Sequence, residues 1–136
     1  MLGGVTDTHA LLWFVTGKLE KLGTRARKIF EAADRKDGSG LVTVPAIVLH
    51  EISWLITTKD IKLAVSFSDW VRQLEKHGFF PILNVDAEAV IRSADFQQIT
   101  DPFDRLIMGC AALLEQPLIT TDQKITQANV VEVLWE

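Results

Sequence analysis

The chain has 136 residues, of which 48% are hydrophobic and 24% charged, and its net charge is −4 at pH 7. This length predicts one domain over residues 1–136 that buries its own core, and a single cysteine excludes a disulfide framework. No stretch has the character of a membrane span or of an export signal, so we expect a cytoplasmic protein without a membrane partner. The negative charge gives no global attraction for nucleic acid.

Strand and helix patterns alternate along the chain. The first half predicts a strand over 3–7, a helix over 8–15, a helix that opens at Thr24, a strand over 41–44, and a helix from 46 to about 57 with Pro45 in its first turn. The second half predicts a helix over 64–76, a strand over 79–85, helices over 86–97 and 103–115, and strands over 117–121 and 130–134. This alternation indicates an α/β fold of three layers around a mostly parallel sheet of about five strands.

The stretch from Thr100 to Ile107 sets two acids at the start of the helix over 103–115. Asp101 followed by Pro102 is typical of an N-cap and the first residue of a helix. Asp104 then falls at the third helical position, where a capping box prefers Glu or Gln. Capping is therefore a sufficient explanation for Asp101 and a weaker one for Asp104.

Four acids are expected at one edge of the predicted sheet. Asp7 and Asp122 each directly follow a strand, and Asp104 begins a helix. Glu51 lies about two turns into its helix, but its long side chain leans toward the helix N-terminus. In an open parallel sheet the strand carboxyl ends and the helix N-termini gather at the same edge. Taken singly, Asp7 and Asp122 have an ordinary explanation as caps, and Glu51 has one as a solvated residue.

Four carboxylates in one place would repel one another and take up protons, and a divalent cation removes that cost. Ligands that are all oxygen favour Mg²⁺ or Mn²⁺ over zinc. Such ions activate water and stabilise the charge that develops on a phosphodiester under in-line attack. The chemistry implied by these residues is metal-dependent hydrolysis of a phosphate ester.

These residues resemble the PIN-domain ribonucleases, specifically the VapC-like toxins of type II toxin–antitoxin pairs. The resemblance is carried by Asp7 to Trp13, Glu51-Ile52, Asp101 to Ile107, Leu118 to Asp122, and Val131 to Trp135. It implies a three-layer α/β/α PIN-like fold and an endoribonuclease that depends on Mg²⁺ or Mn²⁺. It also implies an RNA substrate, a cognate antitoxin as partner, and a homodimer. The chain departs from the family pattern where a His before the central motif and a Tyr after the last acid are usual.

The resemblance also implies roles for individual residues. The metal-binding and catalytic acids are Asp7, Glu51, Asp104 and Asp122. Asp101 is then a capping or supporting neighbour of the metal site, and Thr120 supplies a hydroxyl near it. Apart from the resemblance, Arg105 follows Asp104 directly and is a candidate to bind phosphate or to hold a carboxylate. Candidate contacts to the substrate are His9, Lys59, Lys62 and Lys124, for which an ordinary surface or helix-start position is the alternative. Core or interface positions are expected for Trp13, Trp54, Trp70 and Trp135.

Two other functions compete with this interpretation. A phosphatase of the haloacid-dehalogenase type also has an early Asp, but it needs a second Asp two residues later, and His9 stands at that position here. A PIN-like domain that binds RNA or protein without cutting is the other alternative. The presence of all four acids argues against this second alternative.

Overall fold

The structure is a computed structural model that describes residues 1–136. Its elements in chain order are β1 (Leu2–Thr6), α1 (Thr8–Val15), α2 (Thr24–Asp34), β2 (Gly40–Pro45), α3 (Ala46–Thr58), α4 (Phe67–His77), β3 (Ile82–Leu83), α5 (Ala87–Ser93), α6 (Pro102–Leu114), β4 (Leu118–Ile119), α7 (Gln123–Ala128) and β5 (Val133–Leu134). One turn of 3₁₀ helix over Leu19–Lys21 separates α1 from α2. None of the helices combines the length and the apolarity that crossing a bilayer requires.

The five strands form one sheet in the order β3-β2-β1-β4-β5, and every neighbouring pair is parallel. β1 lies at the centre, paired with β2 from Leu2 opposite Gly40 and with β4 from Val5 opposite Leu118. Helical crossovers between parallel strands cover both faces of the sheet. The expected three-layer α/β/α fold with about five strands is therefore confirmed.

The core lies between the sheet and these helices. Val5 and Val42 of the two central strands are fully buried, as are Phe30 of α2 and Ile107 of α6. Phe30 stacks on Phe14 of α1, with ring centroids 4.9 Å apart. Aliphatic strand residues and aromatic helix residues thus fix α1 and α2 against one face of the sheet. The ends of these two helices are therefore held in place as well.

Four of the helices begin at an aspartate. In each case the carboxylate accepts a hydrogen bond from backbone N–H groups of the first turn, and the capping residues are Asp7 of α1, Asp86 of α5, Asp101 of α6 and Asp122 of α7. Such a cap satisfies N–H groups that have no partner within the helix. As a result, an acid is held at the start of four helices, three of which meet at the carboxyl edge of the sheet.

Several predicted helix boundaries were wrong. α4 begins at Phe67 rather than at residue 64, because the Ser66 hydroxyl accepts a hydrogen bond from the Asp69 amide and fixes the first turn. Val65, which the prediction placed inside this helix, precedes it and is 39% exposed. α5 ends at Ser93 rather than at 97. Trp54 of α3 is 63% exposed, which excludes the core position that was one of its two expected places.

The strand boundaries needed correction as well. β3 and β5 each contain two residues, whereas the sequence predicted 79–85 and 130–134. Both are edge strands with a neighbour on one side only. β4, predicted over 117–121, is also limited to Leu118–Ile119, although it pairs with β1 and with β5. Pro45 is the last residue of β2 and has extended dihedrals, and it precedes α3 instead of lying in its first turn.

Candidate metal centre

A cavity of about 310 Å³ opens at the carboxyl edge of the sheet, and we call it the acidic cavity. Its carboxylates are Asp7, Glu51, Asp101, Asp104 and Asp122, and its wall is completed by Thr8, His9, Trp13 and Thr121. All four acids named as metal ligands therefore line one cavity, together with their predicted neighbour. They arrive there from the end of β1, from α3, from the start of α6 and from the end of β4.

Asp7 joins the central strand to α1. Its backbone N–H donates to the carbonyl of Ile119 in β4 at 3.1 Å, and its Oδ1 accepts from the Ala10 amide at 2.9 Å. Burial raises the pKa of Asp7 to about 6, against the lowering effects of the Thr120 hydroxyl and the Ala10 amide. Nearby positive charge would lower this pKa again, because it favours the ionised form.

Asp104 is the third residue of α6 and follows the cap made by Asp101, whose Oδ1 accepts from the amides of Phe103 and Asp104. Burial raises the pKa of Asp104 to about 7, and the negative charge of Asp101 adds to that effect. The charges of Asp122, Asp7 and Glu51 raise the pKa further. The acids of the cavity are thus close enough to repel one another.

Glu51 is held by a residue that the sequence analysis missed. The hydroxyl of Thr8, the first residue of α1, donates to Oε1 of Glu51 and so links α1 to α3. Thr8 is only 3% exposed, so this hydroxyl has little access to water as an alternative partner. The one signal in the sequence is its place directly after Asp7, at the start of a helix.

Thr120 lies between two of the acids. It is fully buried, its Oγ1 accepts from the Asp122 amide at 3.1 Å, and its hydroxyl lowers the pKa of Asp7. Asp122 in turn accepts from the amides of Lys124 and Ile125 at 2.8 and 3.2 Å. The turn from β4 into α7 is therefore fixed by hydrogen bonds on both sides of Asp122.

The hydrogen-bond partners of Arg105 in this structure are backbone carbonyls, and no carboxylate is among them. Its Nε donates to the carbonyl of Ile99, and its Nη2 donates to the carbonyl of Gln97 at 2.9 Å. The guanidinium thus satisfies backbone acceptors in the segment that leads into α6. In this structure Arg105 holds that segment instead of a carboxylate.

The candidate substrate contacts fall into separate places. His9 lies in the wall of the acidic cavity, with its ring centroid 5.9 Å from that of Trp13. Lys124 lines an adjoining cavity that shares three of the acids. Lys59 at the end of α3 and Lys62 in the following connection are exposed, and neither lines these two cavities.

The donor set fits a hard divalent cation. All five side chains with formal negative charge in the cavity offer oxygen, the donor type that such ions prefer. No three His, Cys, Asp or Glu side chains are already drawn together into a closed ligand set. Instead, each of three acids accepts a hydrogen bond from a protein donor: Asp7 from the Ala10 amide, Glu51 from the Thr8 hydroxyl and Asp122 from the Lys124 amide.

Comparisons with known proteins give a consistent result. A sequence profile described as the PIN domain matches residues 5–131. Ribonuclease VapC22 of Mycobacterium tuberculosis is 31% identical over 123 residues, which cover 88% of this chain and 86% of that protein. A chain of VapBC2 from Rickettsia felis, whose crystal structure contains a DNA fragment from their promoter, has a TM-score of 0.70 at 12% identity, with 99% of this chain and 100% of that chain covered. DNA-bound VapBC from Salmonella typhimurium gives a TM-score of 0.63 at 18% identity, with 98% and 97% covered.

Proposed function

This chain belongs to the PIN-domain family, and from that membership we propose that it is an endoribonuclease that depends on a divalent metal and acts as the toxin of a toxin–antitoxin pair. The observation that carries the proposal is the acidic cavity, in which acids from four separate parts of the chain meet. Ribonuclease VapC22, which is 31% identical to this chain, matches 88% of it. Hydrolysis of a phosphodiester is the reaction that an all-oxygen metal site of this kind serves.

We propose Mg²⁺ or Mn²⁺ as the ion and Asp7, Glu51, Asp104 and Asp122 as its ligands. When bound, such an ion lowers the pKa of water and stabilises charge on the phosphate. The raised pKa values of Asp7 and Asp104 support this assignment, because a dication restores the ionised form of buried carboxylates.

Three residues in or beside the cavity orient these acids. Thr8 fixes the carboxylate of Glu51, and Thr120 holds the backbone next to Asp122. Asp101 holds the first turn of α6, and with it the backbone of Asp104. Partners of this kind set the direction of a metal-binding side chain before the ion arrives, so less entropy is lost on binding.

An RNA substrate requires local positive charge in a chain that is negative overall. Seven of the fourteen Lys and Arg residues lie between positions 18 and 36, four of them in the 3₁₀ turn and α2 and three beside these elements. Lys21 of this group lies over the ring of Trp13, with its Nζ 5.7 Å from the ring centroid, and Trp13 lines the acidic cavity. This basic stretch therefore offers a path for the phosphate backbone up to the site.

We further propose a cognate antitoxin as the partner of this chain, and a homodimer as its assembly. Support comes from the solved structures of the same fold, which are VapBC complexes. The acidic cavity opens to solvent beside the exposed residues His9, Asp101 and Thr121, so an inhibitory protein can block it by covering that opening.

The test is cleavage of RNA by the purified chain, free of partners, with Mn²⁺, with Mg²⁺ and with EDTA. We expect cleavage with either ion and none in EDTA. Asp7→Asn and Asp104→Asn should lower the rate by at least about 100-fold, because even indirect partners of a metal site cost 10- to 100-fold. Asp60→Asn serves as the control, since Asp60 is exposed and its left-handed backbone suits Asn.

Cleavage that continues unchanged in EDTA or in both active-site variants would refute the proposal. Release of phosphate from small monoesters without cleavage of RNA would favour the phosphatase. Retained RNA binding with no cleavage under any of these ions would favour the non-catalytic alternative.

A further inference from the structure

A second cavity, of about 510 Å³, adjoins the acidic one, and we call it the amide cavity. Asp101, Asp104 and Asp122 line both cavities, so these three carboxylates form the wall between them. A polymer whose phosphate lies at the acids must continue away from them on two sides. The amide cavity lies on one of those sides.

The lining of the amide cavity away from the acids has two parts. Ile99 and Ile125, which are 5% and 2% exposed, give it an apolar floor. Gln98 and Gln123 are exposed and place a side-chain amide at its rim, each with donors and an acceptor. A nucleobase has the matching shape, with apolar faces and an edge of donors and acceptors.

Both walls of this cavity are fixed to the metal centre. On one side, Arg105 donates to the carbonyls of Gln97 and Ile99, which flank Gln98. On the other, the carboxylate of Asp122 accepts from the amide of Lys124, next to Gln123. These hydrogen bonds thus fix the backbone that carries the two glutamines relative to the acids, and a base bound between them lies at a limited distance from the phosphate.

We propose that the amide cavity is a nucleotide subsite, which rests on the proposed ribonuclease function. It takes the base of an unpaired nucleotide directly next to the scissile phosphate. Gln98 and Gln123 hydrogen-bond the polar edge of that base and determine which base is accepted, and Lys124 binds a backbone phosphate without regard to sequence. The volume lies within the range of sites for ligands of this size.

Cleavage of an RNA pool with a randomised unpaired stretch, followed by sequencing of the fragment ends, tests the subsite. The wild-type chain should show a base preference at one position next to the cut, of about 5- to 150-fold for a good pair of hydrogen bonds. Gln98→Ala/Gln123→Ala should remove that preference. Gln127→Ala, an exposed glutamine of the same helix α7 outside the cavity, should keep it. Lys124→Met should raise the KM for all sequences while the preference stays.

An unchanged preference in the double variant, or an equal loss on every sequence, overturns the subsite. A binding measurement decides the matter even without cleavage. With Ca²⁺ in place of Mn²⁺, fluorescence anisotropy of labelled single-stranded homopolymers should rank the four bases for the wild-type chain, and the double variant should bind them equally. If the wild-type chain cuts no RNA, the ribonuclease fails and this ranking still tests the subsite. Equal binding of all four homopolymers by the wild-type chain overturns it.

Discussion

A single hydroxyl joins two helices at the site. Thr8 donates to Glu51, a residue 43 positions later in the chain, and no local pattern in the sequence indicates such a pair. Asp7, Asp104 and Asp122 were accessible to prediction because each stands at an element boundary that Pro, Gly or a strand pattern marks. Thr8 was not, because a Thr at the start of a helix is ordinary.

We expect Thr8→Val to weaken the binding of Mn²⁺ by about 10- to 100-fold, because Val has the shape of Thr without the hydroxyl that orients Glu51. The Mn²⁺ concentration that gives half-maximal cleavage measures this change. Thr8→Ser should recover most of the affinity. Thr58→Val, whose hydroxyl only donates to a carbonyl in its own helix α3, is the matched control. Wild-type affinity in Thr8→Val would contradict the role of this hydroxyl.

At the scale of elements, α6 was predicted almost to its ends and β3 was not. Asp101-Pro102 combines a cap with a residue that needs no N–H partner, so two adjacent residues are enough to predict the start of α6. The length of β3 depends on how far Val44 and Pro45 pair with it across the sheet. That is a property of the neighbouring strand, and the β3 segment alone does not contain it.

α6 also packs against α5 at Gly109, and this contact depends on the missing side chain. A Cβ at position 109 would lie 2.6 Å from the carbonyl oxygen of Ala89 and 3.0 Å from the amide of Ser93. Alanine favours a helix over glycine by about 1 kcal/mol, but overpacking against backbone costs about 1–3 kcal/mol. The atoms that the new Cβ would meet belong to the main chain of α5 and cannot move to another rotamer. The cost of overpacking is therefore larger than the gain in helix propensity.

We therefore expect Gly109→Ala to lower the free energy of unfolding by about 1–2 kcal/mol, as measured by urea denaturation. Ala89→Gly in the same chain should not restore stability, since the Ala89 carbonyl remains in place. A Gly109→Ala chain as stable as the wild type would show that α5 moves aside freely.

For the whole molecule, the acidic cavity couples stability to pH. The pKa values of Asp7 and Asp104 are raised from 3.8 to about 6 and about 7 in the folded chain. Between pH 4 and pH 7 the folded chain consequently binds more protons than the unfolded chain. Its free energy of unfolding must then fall as pH rises through this window, and the contribution of these two groups is constant above it.

In EDTA we expect the free energy of unfolding to fall by about 2 kcal/mol between pH 5 and pH 7.5, a figure reduced for partial exposure of the acids. Asp104→Asn should make this fall smaller, because the group with the larger rise in pKa is gone. Saturating Mn²⁺ should reverse the slope, since the ion displaces protons from its ligands. Thermal and urea unfolding across this pH range provide the measurement, and stability that rises with pH in EDTA would contradict it.

The whole fold shows where sequence reasoning succeeds and where it ends. Alternating strands and helices were sufficient to predict a parallel sheet with covered faces, and that fold is confirmed. The order of the strands was not predictable, because it depends on which crossovers pack best in three dimensions. The amide cavity was not predicted, for the same reason. Gln98 lies in a loop and Gln123 begins a short helix, and only the fold brings them to one cavity.

The central position of β1 decides which part of the site opens first. β1 has a hydrogen-bonded strand on each side, whereas β5 has a single neighbour and, like β4, contains two residues. Transient local opening begins in segments with few such bonds, so we expect amide hydrogen exchange to be faster around β5 than in β1. We therefore expect the end of the site at Asp7, which follows the central strand, to be the last part of it to open.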